Sequence, residues 1–435
     1  MFRKLILVLL AAPVVLGAQQ MTDNSPRPVS LAEAVKLAKE NNVSAITAAN
    51  SVRSAQLTIR SNKAQLYPSL SLSAGQNKSI GDRIGPGQTL IPAASNWAYS
   101  TGISLQQTLF DGGKAFADTR TARANVVAAQ ANEIASDFGI VFNVKSQYNN
   151  ILAAQESDAA ARAQLLVAQQ QLDISIAKVN AGAANVADSL NSVVLVGTAQ
   201  IAILTAQQSL KAASAALTHL VGTPYMVTAN PADTVEIAGA PLDSVTLTSL
   251  ALNGPTIRAF QAQLNAANAT ERSSRTGYLP TITASASYSG SGASSIYGLN
   301  SNPYPYSKTL GVNASYQVFN RYVRENNVVN AQISAENALA QIKDQKLTAQ
   351  QTIITELGVI RIDEAKIKYQ LVSIEAVQEA LRVDEQRYQL GAGLLVNVLT
   401  DQQNLILARQ TLISTRLDLR NARAAIEQFI GRDLP

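Results

Sequence analysis

The chain of 435 residues carries one histidine, His219, and no cysteine, which removes several chemistries at once. Disulfides and thiolate metal sites have no ligands. A single imidazole assembles neither a histidine metal cluster nor a Ser-His-Asp relay, and it is expected near a helix end. Adjacent acids such as Asp363 and Glu364 face different ways on a helix and make no general acid/base pair. The run SGSGAS at 289–294 lacks the helix and acidic residue that dinucleotide binding requires, and no P-loop occurs; the run reads as a flexible loop. Lys, Arg, Asp and Glu are interspersed and sum to +5, which describes a solvated surface and not a nucleic-acid footprint. No enzyme, metal or cofactor is expected. The residues left with functional potential are glycines, acids, amides and tyrosines whose spacing repeats.

Gly182 and Asp188 stand 209 residues before Gly391 and Asn397. The same offset pairs Phe110 with Phe319 and Gly222 with Gly431, while Pro68 pairs with Pro280 at 212, a slip that falls in a loop. The chain is therefore a tandem duplication. Its halves are expected at 19–222 and 249–435, joined by a proline-bearing segment at 223–248. Residues 1–18 combine a basic start, a short apolar run and a small-residue exit, the pattern of a secretory leader. Gln19 and not cysteine follows it, so no lipid is expected at the mature N-terminus.

Beyond the leader no unbroken apolar run reaches about 18 residues, so no membrane helix is expected and a membrane role falls to strands. Four segments, 69–76, 97–110, 281–289 and 309–319, alternate with a period of two. One face carries Tyr99, Ile103, Leu105, Ile282, Tyr288, Leu310, Val312 and Val318; the other is small, polar and uncharged. The segments are about as long as a tilted bilayer crossing, and their apolar face is the one expected to meet lipid. Trp97, Tyr99, Tyr288, Tyr304 and Tyr306 gather near the loop ends, where an interfacial aromatic girdle belongs. A sheet packed on helices in a soluble protein alternates in the same way.

The remainder reads as helix, from about 112 to 220 and about 321 to 430. The stretch 114–181 spans roughly 100 Å at 1.5 Å per residue. Val398, Leu405, Leu412, Leu419 and Ile426 recur every seven residues, as do Val196, Ile203, Leu210 and Leu217, which predicts left-handed coiled-coil packing. Alanine stands where a compact bundle would use leucine, so a single copy buries little and association is expected. Four strands cannot close a barrel, and open edges in lipid leave backbone groups unpaired; several chains would have to share one.

The order of leader, helix, strand, loop, strand, long helix, glycine turn and long helix, given twice, resembles that of the TolC-like outer-membrane efflux proteins. The stretches LYPSLSLSAG (66–75), YLPTITASAS (278–287), QTLFDGGK (107–114) and RYQLGAGLLVNVLTDQQNLILAR (387–409) carry the resemblance, which covers essentially the whole mature chain. The last is similar to the family's R-Y-x-x-G-x-x-x-x-x-D-V-L segment. The resemblance implies a mainly α fold with membrane β: a long coiled-coil α-helical barrel and a transmembrane β-barrel, both shared by a homotrimer with four strands per chain. It implies a passive exit duct in outer-membrane lipid, reaching through the periplasm to a membrane-fusion adaptor and an inner-membrane efflux or secretion pump. Gly182, Ala183, Gly391, Ala392 and Gly393 would form the hairpin tips that dock the adaptor, although such glycines also suit a plain helix terminus. Tyr388 matches a tyrosine that tethers the closed entrance. The family narrows its entrance with aspartate rings; Asp188 keeps one such position, Asn397 and Thr400 replace expected acids, and Asp401 is displaced by one residue. A soluble periplasmic coiled-coil scaffold, or an adaptor protein, is the alternative reading.

Overall fold

The computed structural model describes residues 26–78, 83–84, 86–91, 97–233, 243–294 and 305–434. The predicted leader, Tyr304 and residues 234–242 of the connecting segment lie outside them. The first half runs β1 (Arg27–Val29), α1 (Leu31–Asn41), α2 (Val43–Ala64), β2 (Ser69–Lys78), β3 (Arg83–Ile84), β4 (Leu90–Ile91), β5 (Trp97–Phe110), α3 (Lys114–Asn180) and α4 (Val186–Val221). After β6 (Val227–Ala229) come α5 (Ser244–Ala251), α6 (Pro255–Ser274), β7 (Thr281–Ser294), β8 (Tyr306–Ser315), α7 (Val323–Gln389) and α8 (Leu395–Ile430). The repeat is close in length: α3 and α7 have 67 residues each, α4 and α8 have 36. Local chemistry sets the starts. Ser30 accepts from the Glu33 amide at the head of α1, Asn42 from Ser44 at the head of α2, and Asp243 from Val245 and Thr246 at the head of α5, each satisfying an otherwise unpaired helix N–H.

Every layer is an open row. The sheet order is β2-β5-β7-β8, antiparallel throughout. Below it α3 lies between α2 and α6, with α7 on the far side of α6; further down the row is α4, α3, α8, α7. First-half elements therefore form one flank and second-half elements the other, in strands and helices alike. At mid-length β1 pairs in parallel with β6, so the connecting segment is pinned to the first half, and α5 already begins at Ser244. Val29, Val144, Tyr148, Leu217 and Val227 form the core there. The Tyr148 hydroxyl lies 2.5 Å from Asp233 Oδ2 and accepts the Asn230 amide; burial, then the bond to Asp233, raises its pKa.

Three expectations are corrected. Strand β8 ends at Ser315, so Val318 is exposed in a bend and is not a strand residue: the last β7 pair is Thr281 with Ser315, and Pro280 and a short 3-10 turn before it offer no further partner. The run 289–294 is not a loop but the end of β7, paired with β5 out to Ser294. Of the sevenfold series on α4, only Leu217 is fully buried; Ser192, Ala199 and Ala206 are buried instead. These face Ala161, Ala168 and Ser175, buried at the same interval on α3, and Ser175 and Ser192 share a hydrogen bond of 2.9 Å. Small side chains let two helices approach closely, and that decides the seam over the larger residues. Of the α8 series, Val398, Leu405, Leu412 and Ile426 are buried as expected and Leu419 is half-buried. By length and average hydropathy α4 also has the composition of a membrane-crossing helix, although polar residues interrupt its apolar runs.

Candidate entrance and membrane-facing site

At the end of α3 the Gly182 amide donates to Val179 O and the Ala183 amide to Lys178 O; at the end of α7 the Gly391 amide donates to Tyr388 O and the Ala392 amide to Arg387 O. Both sets are the double bond of a Schellman turn. Gly182 and Gly391 take φ of +71° and +78°, with open space where a Cβ would stand. Their need is conformational. Gly393 is different: a Cβ there would lie 2.9 Å from Tyr388 N and 3.0 Å from Arg387 Cβ, so the chain requires a close approach. Asp188 and Asn397 hold the same place in the first turn of the returning helices, their amides bonded to Asn185 O and Leu394 O.

The two tips enclose a cleft of about 350 Å³ lined by Lys178, Asp188, Asn191, Tyr388, Gly393 and Leu399. Asp188 and Tyr388 are thus brought together. Tyr388 is 4 % exposed, packs with Leu381, Leu395 and Val398, and has no partner for its hydroxyl among the described residues. Asn397 and Thr400 are exposed away from the cleft, and Thr400 spends its hydroxyl on Val396 O. Asp401 turns to α7. Its carboxyl is raised by burial, and by the charge of and a hydrogen bond to Asp384, which itself lies 3.6 Å from Arg387. Lys178 escaped the sequence reading, although a basic residue precedes the tip glycine by four in both halves, as Lys178 and Arg387.

In the sheet, register aligns the two faces across strands. Leu72, Ile103, Tyr288 and Lys308 form one row, and Leu70, Leu105, Ala286 and Leu310 the next. Val312 lies opposite Ala284 and Ile282 opposite Ala314. The other face is a ladder of small hydroxyls, with Ser71, Ser104, Ser287 and Thr309 in one row and Ser71 bonded to Ser104 at 2.6 Å. Ile103, Leu105, Tyr288, Leu310 and Val312 are exposed and Ile282 half-buried. Tyr99 departs from the expectation: on the same face, opposite Gly292, it is 1 % exposed. At the loop end Tyr288 stacks on Tyr306 at 5.1 Å, Lys308 lies over Tyr288 and Lys78 over Trp97, the amphipathic pairing of a membrane interface.

Residues 34–223 and 246–432 match the family described as outer membrane efflux protein, one block in each half. The chain is 26 % identical over 351 residues to the pyoverdine export outer membrane protein OpmQ of Pseudomonas aeruginosa, covering 77 % of this chain and 70 % of that relative. To the outer membrane protein TolC of Vibrio cholerae it is 21 % identical over 414 residues, covering 92 % and 90 %. The solved structure of VceC from Vibrio cholerae superposes with a TM-score of 0.70 at 19 % identity, over 93 % of this chain and 97 % of that one.

Proposed function

The chain belongs to the outer membrane efflux protein family and is an outer-membrane channel of tripartite efflux systems, and from that premise we propose that three copies close into one passive duct. The open flanks carry the reading. Strands β2 and β8 are the sheet edges, and each unpaired backbone group at such an edge costs several kcal/mol in lipid. On α4, Val186, Leu190, Val194, Ile201 and Leu204 are exposed and fall on one stripe at helical spacing. Leu347, Ile354, Ile362, Tyr369 and Val372 do the same on α7. The two flanks are different surfaces, so their contact is head-to-tail and must close a ring. Four strands from each of two copies would make a barrel with a filled interior, whereas three copies leave a lumen. The serine face then lines water and the leucine face meets lipid.

The tips at Gly182, Ala183, Gly391, Ala392 and Gly393 dock the periplasmic adaptor, and the inner-membrane pump supplies energy and chooses the substrate. Three copies of Asp188 place three carboxylates at the entrance, where clustered charge favours cations. Asn397 and Thr400 add none. The test is the mass of the detergent-extracted complex together with planar-bilayer currents. A trimer that conducts is expected; a monomer soluble without detergent would overturn the reading.

A further inference from the structure

Lys78 and Lys308 are the only charged residues in β2, β5, β7 and β8. Both stand on the leucine face, Lys308 in the row of Leu72, Ile103 and Tyr288, and Lys78 an even number of residues beyond Leu72, opposite Trp97. A charge on a lipid-facing strand surface is tolerated only near the bilayer boundary. Lys78 is the last residue of β2 and Lys308 the third of β8, both at the loop end of the sheet. The other end joins the helices, so in a channel the lysines belong to the outer leaflet. The duplication fixes how β8 would meet β2 of the next copy. The offsets that relate the halves carry the pair Lys78–Trp97 onto Gly290–Tyr306, and both pairs are present. The same offsets carry the intrachain pair Thr101–Gly290 onto Leu310 and Lys78 of the partner subunit. Lys308 is then the diagonal neighbour of that lysine on the same face, a separation that long side chains span. At the equivalent intrachain seam the counterparts of Lys308 and Lys78 are Tyr99 and Gly290, which carry no charge. Two cations therefore converge only where two copies meet, and like charges so placed repel unless an anion lies between them. Both lysines are exposed, each over an aromatic ring, and the exposed Leu310 and Val312 continue the face below.

We propose that Lys308 and Lys78 of the partner subunit bind the phosphate of an outer-leaflet glycolipid at each seam of the ring, its acyl chains lying on Leu310 and Val312. The site rests on the trimeric reading above and is incomplete in one copy. A phosphate accepts charge-assisted hydrogen bonds from both ammonium groups at once. The stacked rings of Tyr288 and Tyr306 offer flat amphipathic surface for the sugar beside it. The measurement is native mass spectrometry of the detergent-extracted complex with added diphosphoryl lipid A. The parent should retain one molecule per seam. Lys308→Gln and Lys78→Gln should each weaken retention about tenfold, the weight of one hydrogen bond to a charged group. Mixing the two variants tests the seam. A trimer holding both kinds of chain has one seam with both lysines and should regain one tightly held lipid, whereas neither variant alone regains any. No recovery in mixed trimers overturns the shared site, and undiminished retention by a chain carrying both substitutions overturns the role of the lysines. Phosphatidylglycerol retained equally well overturns the glycolipid assignment, and dephosphorylated lipid A retained equally well overturns the phosphate contact. A parent recovered as a monomer is a failure of the trimeric reading and removes the site with it; trimers without lysine-dependent lipid overturn the site alone.

Discussion

Gly391 and Gly393 stand two residues apart in one turn for different reasons, the first for its left-handed φ and the second for the backbone beside it. The repeat marks Gly391 through its twin Gly182, and marks Asp188 through Asn397. It does not show that Asp401 meets Asp384, because that contact depends on how α7 and α8 rotate against each other. The raised Asp401 carboxyl has a consequence whose sign is fixed. Between the ordinary aspartate range and its raised value the folded tip binds more protons than the unfolded chain, so stability falls as pH rises through that window. Amide exchange over 384–405, corrected for intrinsic rates, should slow as pH is lowered from neutral through that window. Asp401→Asn should flatten that response and protect the tip at neutral pH; an unaltered pH response would remove Asp401 from the effect.

Among the elements, helix and strand identity followed from local pattern, since a period of two and a period of seven each survive any tertiary context that buries one face. The seams did not. On α4 the larger residues look like the core, yet Ser192, Ala199 and Ala206 are buried and an apolar stripe stays open. A single chain cannot tell which face belongs to its own bundle and which to a neighbour. Ile201 is 65 % exposed, so Ile201→Arg should leave the isolated hairpin folded. In the proposed ring it would bury an unpaired charge costing about 3 kcal/mol or more per contact. Trimer yield on native gels is the measure, and a full yield would place the α4 stripe outside the interface.

At the scale of the molecule, the two halves are tied across the row as well as by the chain. Lys145 of α3 bonds Glu427 of α8 at 2.7 Å and Asp433 beyond it at 2.6 Å, with Lys145 and Glu427 side chains only 16 % and 15 % exposed. Lys145→Met strands a largely buried carboxylate and should cost about 2 kcal/mol, read as a lower midpoint in denaturant unfolding of the complex. The sequence alone determined the duplication, the long helices, the alternating strands and the glycine tips, because each is a periodic or local property that the backbone must obey wherever it lies. Only the tertiary structure decided the rest: the strand register that aligns serines into one face, the burial of Tyr99, and the end of β8 before Val318. Those depend on which residues, distant in the chain, are brought side by side, and no local pattern carries that information.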